Sequence, residues 1–203
     1  MPLKEEAFLP FPEGRARVPM ASFFRSTWLT SSLASIRDRG HFDAYRVKLD
    51  PAPADAVLSA VPGLWLPMSV AVAHYSACDR LDLSNGELVI LGEAATRRAN
   101  ATSLAFTARL ATNAGITPWA VFAQGNRLWG QTCKGGGVGI FKCGPKEARI
   151  EIVGFPLARF RYNRVTMRGI VQAAAQLFCT KVYASEIARA CGPNELVLRV
   201  SWV

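Results

Sequence analysis

The stretch VGIFKCGPKEARIEIVGFPLARFRYNRVTMRGIVQAAAQLFCTKVYASEIARACGPNELVLRVSWV, residues 138–203, changes its hydrophobic period twice. VGIFK and EARIEIVGF flank a Cys143-Gly144-Pro145 turn, and in the second arm Ala148, Ile150 and Ile152 alternate with Arg149, Glu151 and Val153. Period two on both sides of a turn signals a β-hairpin. FRYNRVTMRGIVQAAAQLFC then sets Val165, Met167, Ile170, Val171, Ala174, Leu177 and Phe178 at helical spacing, an apolar side broad enough to lie across a sheet. KVYASEIARA and ELVLRVSWV alternate again around Cys191-Gly192-Pro193-Asn194 and form a second hairpin. The order ββαββ predicts an antiparallel sheet with a crossing helix, hence an α+β fold.

Upstream of this sheet part (135–203) the chain reads as mainly helical over 21–134. Ser22 is a suitable N-cap for FFRSTWLTSSLASIRDRG, with Gly40 as its stop. AYRVKLD reads as extended, and DAVLSAVPG as a short helix ending near Pro62 and Gly63. WLPMSVAVAHYSACDRLDL is apolar nearly all round, which marks a central helix. Ser84 and Glu87 form a capping box for ELVILGEAATRRA, a further helix is expected over Thr102–Asn113, and Thr117-Pro118 opens TPWAVFAQGNRLWG. Residues 1–20, with four prolines, make an extended arm that packs on its own domain or on a neighbour. The KGGGVG run lacks the Lys-Ser or Lys-Thr ending of a phosphate loop and precedes a strand, so it reads as a flexible connection.

Half of the 203 residues are hydrophobic and 19% are charged, which excludes a disordered chain. No apolar run reaches the roughly 18 residues of a membrane span, and MPLKEEAFLPFPEGRARVP has acids and prolines where a secretory leader carries a basic stretch. A cytoplasmic protein is expected. Five cysteines without a CxxC pair indicate reduced thiols and neither a disulfide framework nor a metal site. The first hundred residues are neutral overall, so the whole net charge of +9 falls in the second half. Such polarity favours an acidic protein partner, nucleic acid or an anionic surface. Its densest cluster, Arg159, Arg161, Arg164 and Arg168, is the candidate anion-binding group, with a solvated face as the plainer reading.

Several strings carry a family resemblance: WLPMSVAVAHYSACDRLDL, GITPWAVFAQGNRLW, GPKEARIEIVGFPL, RYNRVTMRGIVQAAAQLF and LVLRVSWV. In these, residues 23–203 resemble the superfamily of haem-nitric-oxide-binding domains, four-vinyl-reductase domains and TRAPP vesicle-tethering subunits, in particular a bacterial branch of proteins of about this length. The resemblance implies an apolar cavity between the helices and the sheet, used by relatives for haem, a lipid chain or another small hydrophobic molecule. It also implies homodimers paired through helical faces. Related gas sensors ligate iron through a helical histidine and hold the haem propionates with a Tyr-x-Ser-x-Arg string. His74 is the candidate ligand here, but the nearest string, Tyr162-Asn163-Arg164, lacks that form, which argues against haem.

By residue type, the candidate pocket lining is Phe24, Trp28, Trp65, His74, Tyr75, Cys78, Trp119 and Phe122. Core filling is the ordinary role of each. Cys78 follows His74 by one helical turn, yet apolar neighbours would raise the thiol's pKa and blunt it as a nucleophile, so no catalytic residue is assigned. The expected role is a non-catalytic small-hydrophobic-ligand-binding or protein-scaffolding module in signalling or regulation. Two alternatives stay open: a nucleic-acid-binding regulator using the basic half, in which Arg159, Phe160, Arg161 and Tyr162 interleave charge and aromatic rings, and an enzyme with an unrecognised site.

Overall fold

The computed structural model describes residues 5–99 and 117–203, so the helix expected over Thr102–Asn113 lies outside the described residues. Both hairpins of the C-terminal part form as their turns and alternation predict: β5 (Gly137–Gly144) with β6 (Glu147–Val153), and β7 (Val182–Glu186) with β8 (Glu195–Trp202). Helix α8 (Arg161–Ala175) runs between them. The N-terminal arm adds strand β1 (Glu6–Leu9), giving an antiparallel five-stranded sheet of order β1-β5-β6-β8-β7. Register puts Val138 beside Ile152 and Leu196, Ile140 beside Ile150 and Leu198, and Ala148 beside Val200 and Ala184. That buried apolar face is the floor of the core.

The opposite face of the sheet explains the glycine run. A Cβ on Gly139 would come within 2.5 Å of the Phe11 ring, so the absent side chain is what lets the arm lie flat on β5. Arg15 then bridges Glu151 (3.1 Å) and Glu195 (2.8 Å), and Arg149 reaches Glu5 (2.7 Å). KGGGVG is therefore a seat for the N-terminal arm, not the flexible connection its composition suggests.

The preceding part carries α1 (Ser26–Asp38), α2 (Phe42–Lys48), α3 (Pro51–Leu58), α4 (Met68–Asp79), α5 (Asn85–Ala99), α6 (Pro118–Phe122) and α7 (Gly125–Thr132). The capping box is present: Glu87 Oε2 accepts from the Ser84 N–H at 3.0 Å, and Ser84 Oγ from the Glu87 N–H at 3.3 Å. Three local expectations fail. AYRVKLD is helical through Lys48, as part of α2, because Tyr45 is drawn fully into the core, a tertiary contact that one short segment cannot announce. Phe23–Arg25 is a strand (β2) rather than the first helical turn, and Trp65–Pro67 (β3) precedes α4. With β4 (Cys133–Lys134) these make a second sheet of order β3-β2-β4, whose strands are too short to display period two.

α5 and α8 pack backbone against backbone. A Cβ on Gly92 would fall 2.0 Å from the Thr166 carbonyl oxygen, and one on Gly169 2.1 Å from that of Val89. Both positions therefore demand glycine, since a carbonyl in a helix cannot step aside. Gly92→Ala or Gly169→Ala should lower stability by about 1–3 kcal/mol in a denaturant titration. Gly130→Ala in α7, where a Cβ meets nothing within 4 Å, should be neutral or slightly stabilising.

Candidate functional site

Helix α4 sends His74, Tyr75 and Cys78 into the centre of the helical part, where all three are buried. His74 is fully enclosed and engaged on both nitrogens. Tyr45 Oη, from α2, lies 2.8 Å from Nδ1, and Ser32 Oγ, from α1, lies 3.0 Å from Nε2. Ser32 Oγ continues to Tyr162 Oη on α8 at 3.2 Å. A neutral imidazole satisfies this chain: the Tyr45 hydroxyl donates to Nδ1, Nε2–H donates to Ser32, and Ser32 donates to Tyr162. The Asp79 carboxylate, at the end of α4, accepts from the Tyr162 backbone N–H at 2.6 Å and fixes the start of α8.

Burial sets the charge states. Desolvation lowers the His74 pKa to about 3, and raises those of the Tyr45, Tyr75 and Tyr162 hydroxyls and of the Cys78 thiol. Cys78 Sγ approaches His74 Nε2 at 3.5 Å, but an enclosed neutral thiol beside a weakly basic imidazole yields no thiolate.

The expected lining divides between places. Phe24 meets Tyr75 edge-on at 5.9 Å, and His74, Tyr75 and Cys78 join them at the centre. Trp28 is half-buried against the same core. Trp119 and Phe122 belong to a second aromatic group built on Trp202 and Phe8. Trp65 sits on the small sheet with the Arg25 guanidinium 4.1 Å above its ring. The arginines also separate. Arg161 donates to Leu83 O and Asn85 Oδ1, and Arg168 to Ala184 O. Arg159 and Arg164 share an open cleft of about 350 Å³ with Glu186, which pairs with Arg164 at 3.2 Å. Tyr162 is 2% exposed, so the interleaved segment around it is no stacking surface for bases. Another open cleft, of about 440 Å³, lies between α1 and α5 at Ser35, Asp38 and Arg98.

Sequence reading missed Tyr45 and Ser32 as partners of His74, and Tyr162 as the next link through Ser32. One signal was available: α1 buries Ser26, Ser31, Ser32 and Ser35 on the side of Leu29, Leu33 and Ile36, an inward polar stripe that requires polar company.

No family model matches the chain, and no curated protein matches it. Solved structures do. An iron(II) unliganded H-NOX mutant from K. algicida aligns at TM-score 0.65 and 8% identity, over 88% of this chain and 96% of that one. An oxygen-binding H-NOX domain related to soluble guanylate cyclases, in its oxygen complex, aligns at 0.55 and 10%, over 88% and 94%. An H-NOX protein from S. oneidensis in the iron(II) state aligns at 0.54 and 11%, over 88% and 96%. The chain has the H-NOX fold.

Haem does not fit its residues. An axial imidazole needs a free lone pair, and both His74 nitrogens are committed to hydroxyls. The chain's only other histidine, His41, lies 3.9 Å from the Glu87 carboxylate on the helical part's outer side. The single Tyr-x-Ser in the sequence, Tyr183 to Ser185, has Ile187 where the arginine would stand, and Tyr183 faces solvent. Among the described residues no group of three or more His, Cys, Asp or Glu side chains is placed to hold a metal.

The folded imidazole takes a proton only near pH 3, whereas the unfolded one does so below about 6.5. The unfolded chain therefore binds more protons in that window, and the His74 contribution, complete above about pH 6.5, is lost as pH falls. Between about pH 7 and pH 5 the wild type should lose roughly 2 kcal/mol more stability than His74→Gln, measured by denaturant titration at each pH. Tyr45→Phe, which strands Nδ1, should cost about 1–3 kcal/mol at neutral pH.

Proposed function

We propose that this chain is a non-catalytic signalling module, a scaffold domain of H-NOX fold that works through protein contacts and without haem. The carrying observation is His74, fully enclosed and hydrogen-bonded at both nitrogens, which leaves it no lone pair to offer a ligand. The C-terminal sheet, the crossing helix and the strings that resemble the wider superfamily support kinship with four-vinyl-reductase domains and TRAPP subunits, and with their bacterial branch. That kinship supports a homodimer paired through helical faces. Five unpaired cysteines suit the reducing cytoplasm. Small-ligand sensing is the second reading. It is favoured by the oxygen-binding H-NOX domain among the fold neighbours, and here it would require a molecule that displaces part of the Tyr45–His74–Ser32 chain.

Haem titration followed by desalting tests the first reading: no retained Soret absorbance is expected, and stoichiometric retention would contradict it. Native mass spectrometry of the purified protein should show an empty dimer. A retained lipid, tetrapyrrole or other small molecule would transfer support to the sensing reading.

A further inference from the structure

The small sheet has a solvent-facing side with a composition of its own. Phe24, Leu66 and Cys133 point inward in register, so the alternate residues Phe23, Arg25, Trp65, Pro67 and Lys134 form the outer side. Arg25 stands over Trp65, and Lys134 Nζ lies 5.0 Å from the Trp65 centroid and 5.4 Å from that of Phe23. Arg25 also donates to the carbonyls of Gly63 (2.8 Å) and Gln131 (3.4 Å), which leaves its charge unneutralised. Among the described residues neither cation has a carboxylate partner.

The segments leading into β2 and β3 expose further apolar side chains. Met20 is next to the seat of β4, its carbonyl against Gly135, and is 50% exposed. The approach to β3, from the last residue of α3 onward, bares Leu58, Val61 (54%) and Leu64 (51%) within seven residues. It belongs to a stretch, Ala56 to Cys78, without one Asp, Glu, Lys or Arg. With Phe23, five of the ten large exposed hydrophobic residues among the described ones thus lie on, or within seven residues of, the two strands β2 and β3 that carry this face. Concentrated exposed apolar area of this kind marks an interaction site.

We propose that this face docks the chain on an anionic lipid surface: Met20, Val61 and Leu64 enter the interfacial layer while Arg25 and Lys134 meet lipid phosphates. Apolar loop tips flanked by cations match both zones of such a surface, and the net charge of +9 attracts the chain toward it. Nucleobase stacking fits less well, because the cations already cover the ring faces that bases would use. A second copy on the same face would press Arg25 and Lys134 against their own equivalents. Neither of the two clefts described above lies here to seat a peptide, and the apolar residues stand out on a loop.

Flotation of the full chain with phosphatidylcholine vesicles, with and without phosphatidylglycerol, tests this. Binding is expected only to the phosphatidylglycerol vesicles, and it should fall as salt is raised. Lys134→Gln should weaken it about five-fold, and Val61→Asp/Leu64→Asp at least about ten-fold. All are solvent-exposed positions, and circular dichroism of each variant confirms that it is folded. No vesicle binding by the wild type, or binding that the folded variants leave unchanged, overturns the proposal. Single-stranded DNA binding or dimerisation that these substitutions abolish, in a chain that ignores vesicles, overturns it in favour of that occupant.

Discussion

An imidazole without contact to water must stay neutral and must still place both of its nitrogens in hydrogen bonds. His74 meets that condition with hydroxyls from two different helices, and the chain of bonds runs on to a third. α1, α2, α4 and α8 therefore converge on one ring, and a shift of any of them strands a buried polar atom. The aromatic rings around it follow from the same demand. Tyr45 and Tyr162 carry hydroxyls to the site while their rings supply apolar packing, and Tyr75 packs on the imidazole with Phe24 edge-on behind it.

A second constraint supports the first. Tyr162 reaches Ser32 only because α8 starts where Asp79 caps it and because Gly92 and Gly169 allow α5 and α8 to touch along their backbones. The sheet beneath is stiffened from its far side, where the N-terminal arm lies on Gly139 and is pinned through Arg15 and Arg149. The edge strand β7 is also held by the helix above it: Arg168 donates to Ala184 O, and Gln172 to Val182 O. These bonds occupy carbonyls of an edge that could otherwise recruit another strand.

The C-terminal ββαββ part was legible because each hairpin has a turn and an alternating arm, signals local to a few residues. The α+β class followed from it. The three-stranded sheet was illegible because β2, β3 and β4 have at most three residues each and pair across distant parts of the chain. Tyr45 was placed in an extended segment for the same reason, since what makes α2 helical and buried is a bond to a residue 29 positions away. At the site, His74, Tyr75, Cys78 and Phe24 were recognisable by type and by their place on apolar elements. Their partners were not, because periodicity identifies faces and leaves open which faces meet. The arginine cluster shows the converse. Four residues close in sequence look like one anion site, yet helical geometry turns Arg161 and Arg168 toward different neighbours.

In this H-NOX fold the central histidine is spent on internal hydrogen bonds. The charge state of that one imidazole decides whether the helices can converge on it. Nitrogen-15 NMR of selectively labelled histidine, followed from about pH 7 down to about pH 4.5, reads it directly. The account predicts that His74 stays neutral throughout, with one protonated and one bare nitrogen, while His41 serves as the internal comparison. A His74 that titrates near pH 6.5 would contradict it.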